Sequence, residues 1–243
     1  MANPLLQDGL ATLVTFVLAL SWLKLMDGLA YRGLLQQTLS RKLIHIGTGP
    51  LFILCWPLFS DQGGARYWAA LVPLTFTAKF LAIGLGWLVD AAAVQSMTRN
   101  NQPQEILRGP LYYGVVMVIC TVLFWRQSPL GILALMMMCG GDGLADIVGR
   151  RWGRHKLPFS PEKSWAGSTA MFVASVLFGW GALQLFSALG YGQLGGGPGQ
   201  VAIAPLLLIA AVATLVEALP FKDIDNLTLP LTVLVLGQMV LPG

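Results

Sequence analysis

The chain has 243 residues, of which 56% are hydrophobic and only 11% charged, and its mean hydropathy is +0.69. That composition argues against a soluble globular protein and for an all-α, polytopic transmembrane helical bundle. A net charge of +4 would suit nucleic acid, but the Lys and Arg residues lie in short loops beside apolar runs, where membrane topology accounts for them.

Residues 1–9 lack both the basic stretch of a secretory signal and the Arg/Ser richness of a transit peptide, so the first apolar run, 10–26, is expected to stay as a membrane span. Asp27 and Gly28 are expected to end it, and residues 29–39 read as an amphipathic segment at the interface. The next spans are expected at 43–59 and 65–89, joined by the short turn SDQGG, and at 111–125. A fifth begins at 130–139 and runs into a glycine-rich stretch. The sixth covers 170–189, a flexible turn follows at 191–200, and 201–219 and 227–241 complete about eight spans in one membrane domain covering 1–243. Cys55, Cys120 and Cys139 have no metal-binding spacing and read as small buried hydrophobes.

With the N-terminus outside, Lys24, Arg32, Arg41, Lys42, Arg99, Arg108, Arg150, Arg151, Arg154, Lys156, Lys163 and Lys222 fall in inside loops, against Arg66 and Arg126 outside. Twelve against two is a strong positive-inside signal, and it brings the polar segments to one, cytoplasmic face. Lys79 falls within a span and has no role assigned by its position.

The chemistry concentrates in residues 139–168, CGGDGLADIVGRRWGRHKLPFSPEKSWAGS. If this stretch is helical, Asp142 and Asp146 stand at i and i+4 on one face and can share a divalent cation. Gly140, Gly141 and Gly143 would let a ligand approach the backbone, and Gly149 and Gly153 would turn amides toward phosphate oxygens. Arg150, Arg151, Arg154, Lys156 and Lys163 add positive charge for a polyphosphate. Ser164 reads as an N-cap whose exposed helix amides face the anion. The plainer reading is a basic loop that fixes topology.

Other polar residues join this list. His45 follows Arg41 by four residues on one helix face, a geometry suited to one phosphate. Lys42 and Arg108 are further phosphate-binding or topology charges. Glu105 is a third metal ligand, a base, or a solvated loop carboxylate. Glu217 sits near the inner end of an apolar span and needs a partner, Lys222 or Arg108, or a role. Asp225 and Asn226 are an N-cap pair or part of the site.

At GDGLADIVGRRWG and KSWAGS the sequence resembles the polyprenol kinase family of phytol, farnesol and dolichol kinases. SRKLIHIGTG at 40–49, EILRGPLYY at 105–113 and ATLVEALPFKDIDNLTLP at 213–230 agree in the same order, and EILRGPLYY with KSWAGS looks most like the phytol kinase branch. The resemblance implies a membrane phosphotransferase that uses CTP as donor, phytol as acceptor and Mg²⁺, in phytol salvage toward tocopherol, in a bacterial inner or thylakoid membrane. It also implies magnesium ligation by Asp142 and Asp146. Ala166 stands where related nucleotide-using enzymes often carry an acid. The base is left as Asp146, Glu105 or none, since phosphoryl transfer asks for little base assistance. The competing readings are a membrane cytidylyltransferase, a diacylglycerol kinase-like enzyme, and a transporter or lipid-binding protein.

Overall fold

The computed structural model describes residues 3–191, 203–220 and 224–241; the expected turn at 191–200, apart from Tyr191, and Lys222 lie outside them. The described chain is almost entirely helical and falls into two compact units, one up to Val122 and one from Leu123.

In the first unit, α1 (Pro4–Tyr31) starts with Pro4 and an N-cap in which Asn3 accepts from the Leu5 amide at 3.0 Å. It runs through Asp27 and Gly28, contrary to the expected stop, because Asp27 accepts a hydrogen bond from Ser96 at 2.8 Å and needs no exit to solvent. What ends α1 is Gly33, at φ 71°, with the Leu34 amide bonding back to the Leu29 carbonyl at 3.0 Å. The amphipathic segment expected at 29–39 is therefore divided between the end of α1, this turn and the start of α2 (Gln37–Cys55).

Helix α3 (Ala65–Gly84) is followed by the short α4 (Ala91–Met97) and then by a tight turn, Pro103–Leu107, that leads into α5 (Gly109–Phe124). Polar side chains fasten these pieces. Buried Asp8 accepts from the backbone and hydroxyl of Ser60, at 2.7 and 3.0 Å. Ser40 donates to the Met26 carbonyl at 3.0 Å. Lys79, near the end of α3, pairs with Asp90 at 2.7 Å, which answers how that lysine is carried by an apolar helix. The Lys79 ammonium and the Ala93 amide, outweighing a smaller effect of burial, hold the Asp90 carboxyl below its usual range.

The second unit is built around one element. Helix α6 (Pro129–Met136) passes through a buried π-helical turn, Met137–Asp142, into α7 (Gly143–Trp152) without a break. Residues from Leu130 to Gly141 are all buried, as expected for a helix apolar on every side. Around it pack α8 (Trp165–Ala188), α9 (Ile203–Glu217) and α10 (Asp225–Val240). Small residues set the closeness: a Cβ on Gly179 would meet Leu133 at 2.9 Å, and one on Gly237 would meet Leu130.

Between α7 and α8, where a basic loop was expected, Lys156–Leu157 (β1) and Ser160–Ser164 (β2) pair as an antiparallel hairpin.

Among the described residues, five helical stretches are long and apolar enough to cross a membrane: Pro4–Tyr31, Ala65–Gly84, Pro103–Phe124, Pro129–Trp152 and Trp165–Ala188. Helices α9 and α10 are apolar but shorter, and α2, which carries Arg41, Lys42 and His45, is not among the five. The three cysteines are free and buried, as small hydrophobes.

Candidate functional site

The stretch 139–152 is the C-terminal half of the central helix of the second unit. The π turn matters here: one extra residue per turn brings Gly140 and Gly141 against α8 and ends at Asp142. A Cβ on Gly140 would run into the Phe178 ring, and one on Gly141 into Ser175 and Met171. Gly149 and Gly153 face Ser164, and a Cβ on Gly167 would lie 3.1 Å from the Ala145 carbonyl. The Gly153 amide donates to the Gly149 carbonyl at 3.0 Å. These glycines thus have a packing explanation: GDGLADIVGRRWG and KSWAGS hold α7 against α8. Gly143, buried, opens α7.

Ser164 is the N-cap of α8, accepting from the Gly167 amide at 3.2 Å, as the sequence suggested. It is buried, and the start of α8 is turned to α7 rather than opened to an anion.

The two aspartates expected to share an ion each have contacts of their own. Asp146 accepts from Arg150 Nε at 2.8 Å, an i,i+4 pair in the favourable acid-before-base order. Asp142 instead meets Glu217 from the end of α9 and Asp225 from the first turn of α10. One carboxylate oxygen from each lies within 4.8 Å of the others. Glu217 is only 5% exposed.

Lys163, on β2, enters this cluster. Its Nζ donates to Glu217 and, at 3.3 Å, to Asp225 Oδ2. Burial alone would push the ammonium's pKa down, but the Glu217 and Asp225 charges, with Asp142, outweigh it and hold it above its usual value. Glu217 therefore has a partner in Lys163, and Lys222 lies outside the described residues. Asp225 is not an N-cap, since Ile224 holds that position. Arg150 and Arg151 are exposed on the last turn of α7, with Arg151 over the Trp152 ring at 5.2 Å.

The remaining expected site residues belong to the first unit. Glu105 binds its own loop: Oε2 accepts from the amides of Arg99 and Asn100, at 2.6 and 3.3 Å, and Oε1 from the Asn100 side chain at 2.7 Å. That loop includes Asn101 at φ 55°, a conformation asparagine tolerates. The His45 ring lies 4.7 Å from Tyr113, whose hydroxyl donates to the His45 carbonyl at 3.0 Å. Arg41 and Lys42 are partly exposed on α2, and Arg108 is exposed just before α5.

What the sequence missed is the pairing of Lys163 with Glu217 and Asp225. The available signal was Glu217 itself, a charge in an apolar helix that had to be answered by something.

No family model matches the chain, and no solved structure matches it. Among curated proteins, it is 46% identical over 241 residues to a probable chloroplastic phytol kinase of Triticum aestivum, covering 98% of this chain and 79% of that one. It is 45% identical to probable phytol kinase 1 of Oryza sativa subsp. japonica, over 97% of this chain and 74% of that one. With phytol kinase 1 of Arabidopsis thaliana the identity is 40%, over 98% and 78%. With identities this high over nearly its whole length, the chain belongs to the phytol kinase family.

Proposed function

We propose that the chain transfers the terminal phosphoryl group of CTP to the hydroxyl of phytol, giving phytyl phosphate, and that Asp142, Glu217 and Asp225 hold the Mg²⁺ this reaction uses. The observation that carries the assignment to this site is the meeting of three carboxylates from three helices with one lysine. Three oxygens within 4.8 Å form a hard donor set of the kind that suits Mg²⁺, which keeps water and phosphate oxygens in its other positions. Held by these three carboxylates, such an ion would supply positive charge against the charge that develops on the transferring phosphoryl group.

The protein's own side chains do the rest. Lys163 contacts a nucleotide phosphate from β2, and the exposed Arg150 and Arg151 add positive charge at the approach. Asp146, oriented by Arg150, receives the proton of the alcohol. Because phosphoryl transfer is largely positioning and electrostatics, losing that acceptor costs less than losing a metal ligand. The alcohol is bilayer-soluble and the nucleotide water-soluble, so the site belongs where a membrane helix meets the aqueous phase. In this reading α2, α9 and α10 also cross the membrane, for eight spans, with the basic loops cytoplasmic.

The test is phosphate transfer by purified protein in detergent. Labelled CTP, ATP, GTP and UTP are offered against phytol, farnesol, geranylgeraniol and diacylglycerol. Magnesium-dependent phytyl phosphate formation that prefers CTP is expected. Transfer to diacylglycerol alone would refute the acceptor, and pyrophosphate release in place of CDP would refute the kinase chemistry.

A further inference from the structure

If Lys163 is to reach a nucleotide phosphate, its ammonium cannot at the same time lie on Glu217 and Asp225, to which it donates in this structure. We infer that Lys163 is a displaceable internal cation: it neutralises the carboxylate cluster while no divalent ion is bound, and entry of the ion releases it toward the nucleotide. The inference rests on the metal reading given above.

Competition follows from the geometry. The oxygens of Asp142, Glu217 and Asp225 lie within 4.8 Å of one another, so the cluster is one small volume. A magnesium ion needs its oxygens at about 2.1 Å and an ammonium needs them at about 2.8 Å, so the two cations cannot share Glu217 and Asp225 on their present terms. Glu217 is buried and would not tolerate losing the Lys163 ammonium unless another cation replaced it.

The backbone of Lys163 is fixed on both sides, by the hairpin pairing of β2 and by the Ser164 cap of α8. Only the four-carbon stem is left to move, and a lysine, with a compact charge on a flexible stem, suits such a change better than an arginine. The consequence for the reaction is order: the phosphate-binding charge becomes available only when the metal is in place.

The probe is Mn²⁺, titrated into detergent-purified protein and followed by electron paramagnetic resonance, for wild type, Lys163→Gln and Asp142→Asn. Removing a competing charge from the cluster should tighten Mn²⁺ binding by roughly tenfold or more in Lys163→Gln, and removing a ligand should weaken it by a similar factor in Asp142→Asn. Unchanged or weaker binding by Lys163→Gln, beside normal wild-type binding and weakened Asp142→Asn, overturns the inference and leaves the metal reading standing. No Mn²⁺ binding by wild type or by Lys163→Gln overturns both.

Because Lys163→Gln strips a buried glutamate of its partner, the wild-type chain supplies a second measurement. Lysine acylation is followed by mass spectrometry with and without Mg²⁺, and the exposed Lys156 of the same hairpin is the internal standard. Mg²⁺ should raise labelling of Lys163 severalfold relative to Lys156, and added nucleotide should protect it again. Labelling of Lys163 that saturating Mg²⁺ leaves unchanged contradicts the displacement.

Discussion

Up to Val122, Asp8, Asp90 and Glu105 each meet donors from a short stretch of chain: Ser60 for Asp8, Lys79 and the Ala93 amide for Asp90, the Arg99–Asn100 backbone for Glu105. From Leu123 on, Asp142, Glu217 and Asp225 arrive from three different helices and gather round one ammonium. The first arrangement satisfies carboxylates one at a time and holds loops and helix ends in place. The second brings three carboxylates and one ammonium from separate elements into one small volume. The distribution of partners, more than the presence of acidic residues, distinguishes the two arrangements.

The largest effect expected from breaking this contrast comes from Glu217→Gln. On the proposed reading it removes a metal ligand as well as half of the Lys163 anchorage, and phytyl phosphate formation should fall roughly 10²–10³-fold, a loss of the size seen when one transition-state contact is deleted. Activity within a few-fold of wild type in a folded variant would separate the cluster from the chemistry.

Next comes Gly153→Ala, whose Cβ would meet the Gly149 carbonyl and Ser164. The clash with the Gly149 carbonyl disturbs the end of α7 and the one with Ser164 pushes the end of the hairpin away, for a stability loss of about 2–4 kcal/mol. Gly149→Ala, whose nearest contact would be Ser164 Oγ at 3.3 Å, should cost clearly less. Equal melting temperatures for the two variants would deny that the glycines act by packing.

These two glycines also show how far the sequence could be read. Helical class and the approximate places of the helices were legible, because apolar runs bounded by short polar turns leave few alternatives. That 143–152 is helical was a condition of reading Asp142 and Asp146 on one face, not a result of their spacing, and their partners were not legible. Asp146 answers to Arg150 one turn away, whereas Asp142 answers to residues whose distance along the chain no periodicity encodes; Lys163 is separated from Glu217 by 54 positions and from Asp225 by 62. Likewise Gly149 and Gly153 read as ligand-binding turns because glycine alone does not say whether the space beside it is filled by a phosphate or by Ser164. The stop at Gly28 was misplaced because a charged residue was taken to leave the apolar phase, and Ser96, which satisfies Asp27, lies far along the chain.

A smaller effect is expected from Glu105→Gln. One carboxylate oxygen that serves two backbone amides is replaced by a neutral amide, so the loop at 98–101 loosens and stability falls by about 1–2 kcal/mol, read as a lower melting temperature. Smallest is the Lys79–Asp90 pair. The folded-state pKa of Asp90 is depressed, so its contribution is present above the ordinary carboxylate value and is lost as pH falls through the lower folded-state value. Asp90→Asn should therefore reduce stability at neutral pH by no more than about 1 kcal/mol, weaken with salt, and make no difference in strong acid. A constant deficit at all pH values would show that the pair acts by something other than charge.

The most direct measurement of the central claim is phytyl phosphate formation from labelled CTP across a Mg²⁺ titration, run side by side on wild type, Asp142→Asn and Glu105→Gln. The account predicts that Asp142→Asn loses at least about a hundredfold in rate and needs far more Mg²⁺, while folded Glu105→Gln keeps the wild-type Mg²⁺ dependence and a rate within a few-fold. A Glu105→Gln enzyme that fails as Asp142→Asn was expected to, beside an Asp142→Asn enzyme with wild-type Mg²⁺ dependence, would contradict it.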